Sequence, residues 1–379
     1  MNSITFNPDK FGYYIARKND GSIYKTYSLT EAYEFSNNVK WHFNDEVFSK
    51  YNWKIEPIES LFELYKKRCQ QIRENYDYIV LMYSAGADSD NVLNCFVRNN
   101  IKLDEVFSWN NISSLPEENL QNLEFKKSIT PALKKLKDNN GKIIEHVNAT
   151  DKSHLDEKYL SAKNLFYYDM GLLVNPLALS RSLLRENVTH WKNLINSGKK
   201  VCILWGHDKP NIKLDTSNMK LFASFINSNM NITASIQDKY NQGWYDEYFY
   251  WSPDLPELII KQCHLVKNHI KKHNFTVEDL QKISQERLKR IIYPFWLNSV
   301  IDVKREDKYI YTLDVSPKNA NNNWHAGIEK VSLDHKKIWI DSYKKFQNTT
   351  RLFSFRRNEK GKKVLYSPQP IYSKQYYLE

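Results

Sequence analysis

The residues of this chain best suited by type and spacing to do chemistry are Ser84-Ala85-Gly86-Ala87-Asp88-Ser89. They follow a continuous apolar and aromatic run, Tyr78 to Tyr83, and precede Asn91 to Asn99, where Val92, Leu93, Phe96 and Val97 form a helical apolar stripe. Strand, small loop, helix is an arrangement that binds anions. The first N–H groups of a helix lack partners within it, and the helix dipole adds partial positive charge there. Small residues let a polyphosphate approach the backbone, the hydroxyls of Ser84 and Ser89 can donate to its oxygens, and Asp88 can hold Mg²⁺. A second cluster, Gly206-His207-Asp208-Lys209-Pro210, follows another apolar run, Lys200 to Trp205. Lys209 can neutralise an α- or γ-phosphate, Asp208 can share the metal ion with Asp88, and His207 can act instead as a base.

These groups need a frame, and the patterning supplies one. Beyond the first strand and helix, strands are expected at Glu105 to Trp109, Lys142 to Val147 and Lys200 to Trp205. Helices are expected from Glu117 to Asp138 and in segments between His154 and Ser197. Such alternation implies an α/β fold, a doubly wound parallel sheet with helices on both faces, over residues 73–275. Before it, residues 1–72 read as a small α+β unit. Phe11 to Ala16 and Ser22 to Tyr27 flank an Asp20-Gly21 hairpin turn, a helix starts at Leu29 behind Ser28 as N-cap, and Ser60 to Tyr76 is amphipathic. After the core, a hairpin turns at Asp215 to Asn218, and helices are expected at Asp254 to His273 and Thr276 to Ile292. Residues 276–379 form a mixed, aromatic and basic C-terminal region.

With 379 residues, 41% hydrophobic and 14% aromatic, the chain can bury a sizeable core and is no disordered or disulfide-stapled protein. No apolar run reaches membrane-span length and no signal peptide is evident, so a cytoplasmic protein is expected. Cys69, Cys95, Cys202 and Cys263 are scattered without a C-x-x-C pair, which argues for reduced structural thiols rather than a zinc or iron–sulfur site. His269 and His273 stand four apart, but a solvated basic helix face outweighs a metal pair there. The formal charge of +11 is concentrated after His335, where eleven Lys and Arg face three acids. That excess can mark a nucleic-acid partner, although AT-rich codon usage also enriches lysine.

The loop Ser84-Ala-Gly-Ala-Asp-Ser89 resembles the S-G-G-x-D-S pyrophosphate loop of the PP-loop ATP pyrophosphatases, with Ala85 in place of the first glycine. That superfamily includes the GMP, asparagine and argininosuccinate synthetases, NAD synthetase and the tRNA lysidine and thiolation enzymes. No G-x-x-x-x-G-K-[ST] is present, which excludes a Walker-type loop. The resemblance runs from about Tyr78 to His273. It is strongest to phage-encoded PP-loop proteins labelled asparagine-synthase-like, in which a G-x-D-K-P turn and a Tyr-Trp-Ser-Pro-Asp segment look similar. It implies ATP and Mg²⁺ as cofactors, pyrophosphate gripped by Ser84, Gly86 and Ser89 with Ala85 and Ala87, and Phe107, Ser108 and Trp109 at the adenine. It also implies a glycine with a polar cluster, here Gly206 and His207 to Lys209, ending the neighbouring strand.

The implied reaction is adenylation of a substrate oxygen with release of pyrophosphate, followed by displacement of AMP by a nucleophile. The aromatic stretch Trp244 to Glu257 reads either as a substrate wall, with Asp246, Glu247, Trp251 and Asp254 facing a small-molecule or nucleotide substrate, or as packed core. Glutamine-hydrolysing relatives begin with a catalytic cysteine after Met1, and Asn2 stands there in this chain. Neither Cys95 nor Cys202 is placed for thiolation. Two alternatives stay open: a non-catalytic nucleotide or nucleic-acid binder with a degenerate loop, and a tRNA- or DNA-modifying adenylase.

Overall fold

The computed structural model describes residues 12–26, 29–109, 125–138, 143–150, 188–206, 211–226, 244–276, 279, 290–294, 353–357, 363–368 and 371–379. Ser28 as a cap, the helical expectations for 117–124, 154–187 and most of 277–289, and His207 to Pro210 lie outside these residues.

Five parallel strands form the centre: β4 (Tyr78–Met82), β5 (Leu103–Trp109), β6 (Ile144–Thr150), β7 (Val201–Trp205) and β10 (Trp244–Tyr248). Their order is β10-β7-β4-β5-β6, and every neighbouring pair is parallel. Strand β4 and strand β7 are buried at every position, which explains their uninterrupted apolar sequence. The chain winds outward from β4 through β5 to β6, then returns to the other side of β4 to place β7 and β10. The order therefore reverses between β4 and β7, the switch point beyond whose carboxyl ends open α/β sheets bind their ligands. This is an α/β fold with a doubly wound parallel sheet, consistent with the Rossmann-like and nucleotide α-hydrolase arrangement.

Helices cover both faces: α3 (Leu61–Asn75), α4 (Ala87–Arg98), α5 (Thr130–Asp138), α6 (Thr189–Asn196) and α7 (Pro256–Lys272), the first two contacting one another and α3 also contacting α7. Helix α3 begins with a reciprocal cap. Glu63 N–H donates to Ser60 Oγ at 3.3 Å and Ser60 N–H donates to Glu63 Oε2 at 2.7 Å, the kind of cap worth about 1 kcal/mol. Helix α4 starts at Ala87, earlier than the apolar stripe from Asn91 suggests, so Ala87, Asp88 and Ser89 make its first turn.

The N-terminal unit is a three-stranded antiparallel sheet of β1 (Tyr13–Arg17), β2 (Ile23–Thr26) and β3 (Asn38–His42), with the short helices α1 (Leu29–Phe35) and α2 (Asp45–Phe48). Its hairpin turns through Gly21 at φ +86°, as the Asp-Gly pair predicts. Strands β8 (Asn211–Asp215) and β9 (Lys220–Ser224) form the expected hairpin, and β13 (Tyr376–Tyr377) adds to β9. In the basic region, β11 (Phe353–Arg357) and β12 (Lys363–Pro368) pair antiparallel.

An aromatic cluster joins distant segments. Phe48 lies 4.8 Å from Phe225, and Trp53 stacks on Tyr376 at 4.5 Å. Leu378 is wholly buried, and its N–H donates to the Leu221 carbonyl at 2.9 Å. Ser373, Tyr376 and Leu378 thus anchor residues 371–379 in the core, while Tyr372, Lys374 and Gln375 are exposed.

Candidate functional site

The loop at the carboxyl end of β4 closes on itself. Ser84 N–H donates to Ser89 Oγ at 3.2 Å, the two hydroxyls lie 3.3 Å apart, and Ser89 Oγ is also 3.3 Å from the Gly86 carbonyl. Gly86 caps α4 in an extended conformation, and the first bond of the helix runs from Asp90 N–H to the Gly86 carbonyl at 2.9 Å. The N–H groups of Ala87, Asp88 and Ser89 therefore precede the intrahelical ladder, at the positive end of the helix dipole. Ala85 adopts φ +53°, the left-handed region that a glycine would occupy without strain.

Gly206, directly after β7, presses against this turn. A Cβ there would meet Ser89 Cα at 3.0 Å, Asp88 O at 3.1 Å and Ser89 N at 3.1 Å. The two strand ends at the switch point thus approach backbone to backbone, which explains why a residue without a side chain stands at 206. His207, Asp208 and Lys209 continue from this point but lie outside the described residues.

Asp88 is half-buried, and its Oδ1 accepts from the Tyr293 hydroxyl at 2.5 Å. The Tyr250 hydroxyl donates to the Asp88 carbonyl at 2.8 Å and accepts from Asn91 Nδ2 at 3.1 Å. Burial, reinforced by the nearby Asp88 charge, pushes both tyrosine hydroxyls well above their ordinary pKa, so both are donors at any working pH. Nothing in the sequence around Tyr293 announces this role. Only the fold joins it to a loop 205 residues earlier.

The end of β5 divides its three candidates. Ser108 is buried and donates to the Tyr83 carbonyl at 2.5 Å, tying two strand ends together. Phe107 is buried against Trp191 at 4.9 Å, and Trp109 is the partly open one, edge-on to Trp205 at 6.3 Å. Trp205 Nε1 donates to Asp246 Oδ1 at 2.6 Å, which places buried Asp246 beside the strand that ends at Gly206.

The other members of the aromatic stretch point elsewhere. Glu247 is buried in an ion pair with Arg68 Nη2 at 2.7 Å and accepts from the Tyr76 hydroxyl, a pairing that fastens α3 to β10. Trp251 is buried and meets Phe225 at 6.1 Å. Asp254 is partly exposed and lies 3.9 Å from Arg68. The structure therefore brings Ser84 to Ser89, Gly206 and Trp109 to the carboxyl ends of β4, β7 and β5, buries Asp246 within β10 level with Ile203, and holds Glu247, Trp251 and Asp254 in packing around α3, β9 and α7.

A cavity of about 530 Å³ opens at the opposite, amino end of the strands, lined among others by Tyr78, Lys102, Asp104, His146 and His190. Ligands of open α/β sheets bind at the carboxyl ends, so this space is set apart from the loop. Beside it, buried Glu105 accepts from Trp191 Nε1 at 2.7 Å and Asn148 Nδ2 at 2.6 Å and meets His190 Nε2 at 2.9 Å. Burial alone would raise the Glu105 carboxyl, but the bonds from His190, Asn148 and Trp191 outweigh it and hold its pKa below the ordinary value.

All four cysteines are free and buried, and burial raises the thiols of Cys69, Cys95 and Cys263. Among the described residues no group of three or more His, Cys, Asp or Glu could hold a metal ion by itself, and no helix is long and apolar enough to cross a membrane. No family model matches the chain, and no curated protein matches it either.

Proposed function

We propose that the chain is an ATP-dependent adenylating enzyme of the PP-loop type. The observation that carries this reading is the position of Ser84 to Ser89: at the carboxyl end of the central strand, at the switch point, running straight into the N-terminus of α4. The close approach of Gly206 supports it, because it brings a second strand end against the same turn.

In this reading the β,γ-pyrophosphate of ATP lies on the N–H groups of the loop and the hydroxyls of Ser84 and Ser89. Asp88, with Asp208, holds Mg²⁺, which supplies charge neutralisation on the phosphates. A substrate oxygen attacks the α-phosphorus, the bond from that phosphorus to the bridging oxygen breaks, and pyrophosphate leaves with the electron pair. A nucleophile then displaces AMP from the activated substrate. Lys209, three residues beyond Gly206, neutralises charge on the departing pyrophosphate, and Trp109 borders the nucleoside.

Incubation with Mg-ATP and candidate oxygen acceptors, nucleic acids included, should yield AMP and pyrophosphate. ADP and phosphate alone would overturn the reading. A second reading, a nucleotide or nucleic-acid binder without turnover, is favoured by one observation: Ala85 keeps a methyl group in a left-handed conformation that costs roughly 1–2 kcal/mol. Tight ATP binding without product under every acceptor would select it.

A further inference from the structure

We propose that Tyr293 is a positioning residue for Asp88, fixing the rotation of the carboxylate that takes the magnesium ion; this rests on the reading of Ser84 to Ser89 as a Mg-ATP loop. An aspartate in the first turn of a helix can fold back and accept from the helix's own N–H groups, which would withdraw it from a metal. Here the Tyr293 hydroxyl donates to Oδ1 at 2.5 Å.

The tyrosine is itself held rigidly. Its ring is buried and stacks on Tyr250 at 5.3 Å with an interplanar angle of 23°. Tyr250 donates to the carbonyl of Asp88, so the stacked pair grips both the backbone and the side chain of one residue. The residue before it is fastened as well: the Ile292 carbonyl accepts from the Tyr65 hydroxyl of α3 at 2.9 Å. A donor behind a metal-ligating carboxylate sets the ligand's orientation, and losing such a partner typically weakens metal binding by about 10–100-fold.

The test is a double-mutant cycle on Mn²⁺ binding, read by water-proton relaxation in the presence of an ATP analogue with a methylene between the α- and β-phosphorus. The proteins are the wild type, Tyr293→Phe, Asp88→Asn and the double variant. Tyr293→Phe should raise the half-saturating Mn²⁺ concentration about tenfold and leave analogue binding at saturating metal nearly unchanged. In the Asp88→Asn background it should change nothing further. Tyr65→Phe, which frees the Ile292 carbonyl and also removes the acceptor of Gln262 Nε2, should move metal binding in the same direction by a smaller factor. Unchanged metal dependence in both tyrosine variants, or an equal effect of Tyr293→Phe with and without Asp88, overturns the inference, as does a wild type that binds no Mn²⁺ with the analogue. The expected cycle in a protein that makes no AMP would uphold the role of Tyr293 while overturning the adenylation reading.

Discussion

Gly206→Ala is the sharpest single test of the switch-point geometry. The added Cβ would lie 3.0–3.1 Å from three backbone atoms, Ser89 Cα, Asp88 O and Ser89 N, none of which can swing aside as a side-chain end can. Comfortable separation is about 3.5 Å or more, so the end of β7 and the first turn of α4 must part by roughly 0.5 Å. Overpacking of this kind costs about 1–3 kcal/mol, enough to lower the melting temperature by several degrees. The displaced atoms belong to the turn that would hold pyrophosphate, and a misplacement near 1 Å can slow turnover about 10²-fold, so about tenfold is expected here. Thermal melting and pyrophosphate release, measured on the same preparation across ATP concentrations, read both effects. A variant that melts and turns over like the wild type would refute the close approach of the two strand ends. One that melts lower but keeps full turnover would separate Gly206 from the site.

Asp88→Asn should abolish turnover and melt near the wild type, whereas Asp88→Ala should also lose about 1–3 kcal/mol in urea unfolding, because it strands the buried Tyr293 hydroxyl; equal stability of the two would refute that contact. Glu105→Gln opposes an amide donor to the donors around it and should cost about 1–3 kcal/mol at neutral pH. Because folding lowers the Glu105 pKa, the stability it contributes is complete above the ordinary glutamate value and fades as pH falls through the lower folded value. The gap between Glu105→Gln and the wild type, followed by urea unfolding, should therefore narrow on acidification, and a constant gap would count against an ionised Glu105. If the basic region binds nucleic acid, replacing Lys336, Lys337, Lys344 and Lys345 by Gln should weaken RNA or DNA binding and flatten its salt dependence; identical salt slopes would exclude these lysines.

The turn after β4 and the strands around it were legible because burial on both faces writes a continuous apolar run, as in Tyr78 to Met82, and because turns are local. Asp20-Gly21 and Asp215 to Asn218 each carry their reason within four residues. Strand β10 was not legible. Asp246 and Glu247 look like exposed acids in the sequence, and their burial makes sense only beside Trp205 and Arg68, 41 and 179 residues away. The same applies to Asp104 and Glu105 in β5, whose partners Arg73, His190 and Trp191 come from two helices. Asp88 and Ser89 read as loop because acidic and hydroxyl residues favour turns, yet the same residues are preferred in a helix's first turn, where the dipole welcomes them. Tyr293 shows the limit most plainly: its role exists only through tertiary contact.

The anchoring of residues 371–379 changes what kind of object the basic stretch is. One side of it is pinned where Ile292 and Tyr293 meet Tyr65 and Asp88, and the other where Tyr376 and Leu378 enter the aromatic cluster. Along the sequence, the positive charges at 336–363 therefore fall between two segments that are both packed into the fold. Of those two moorings, one carries Tyr293, whose hydroxyl donates to Asp88. Cutting the chain before residue 371 would also strip Trp53 and Phe225 of their cover, so the role of the charges is best measured by an internal excision that rejoins the two moorings.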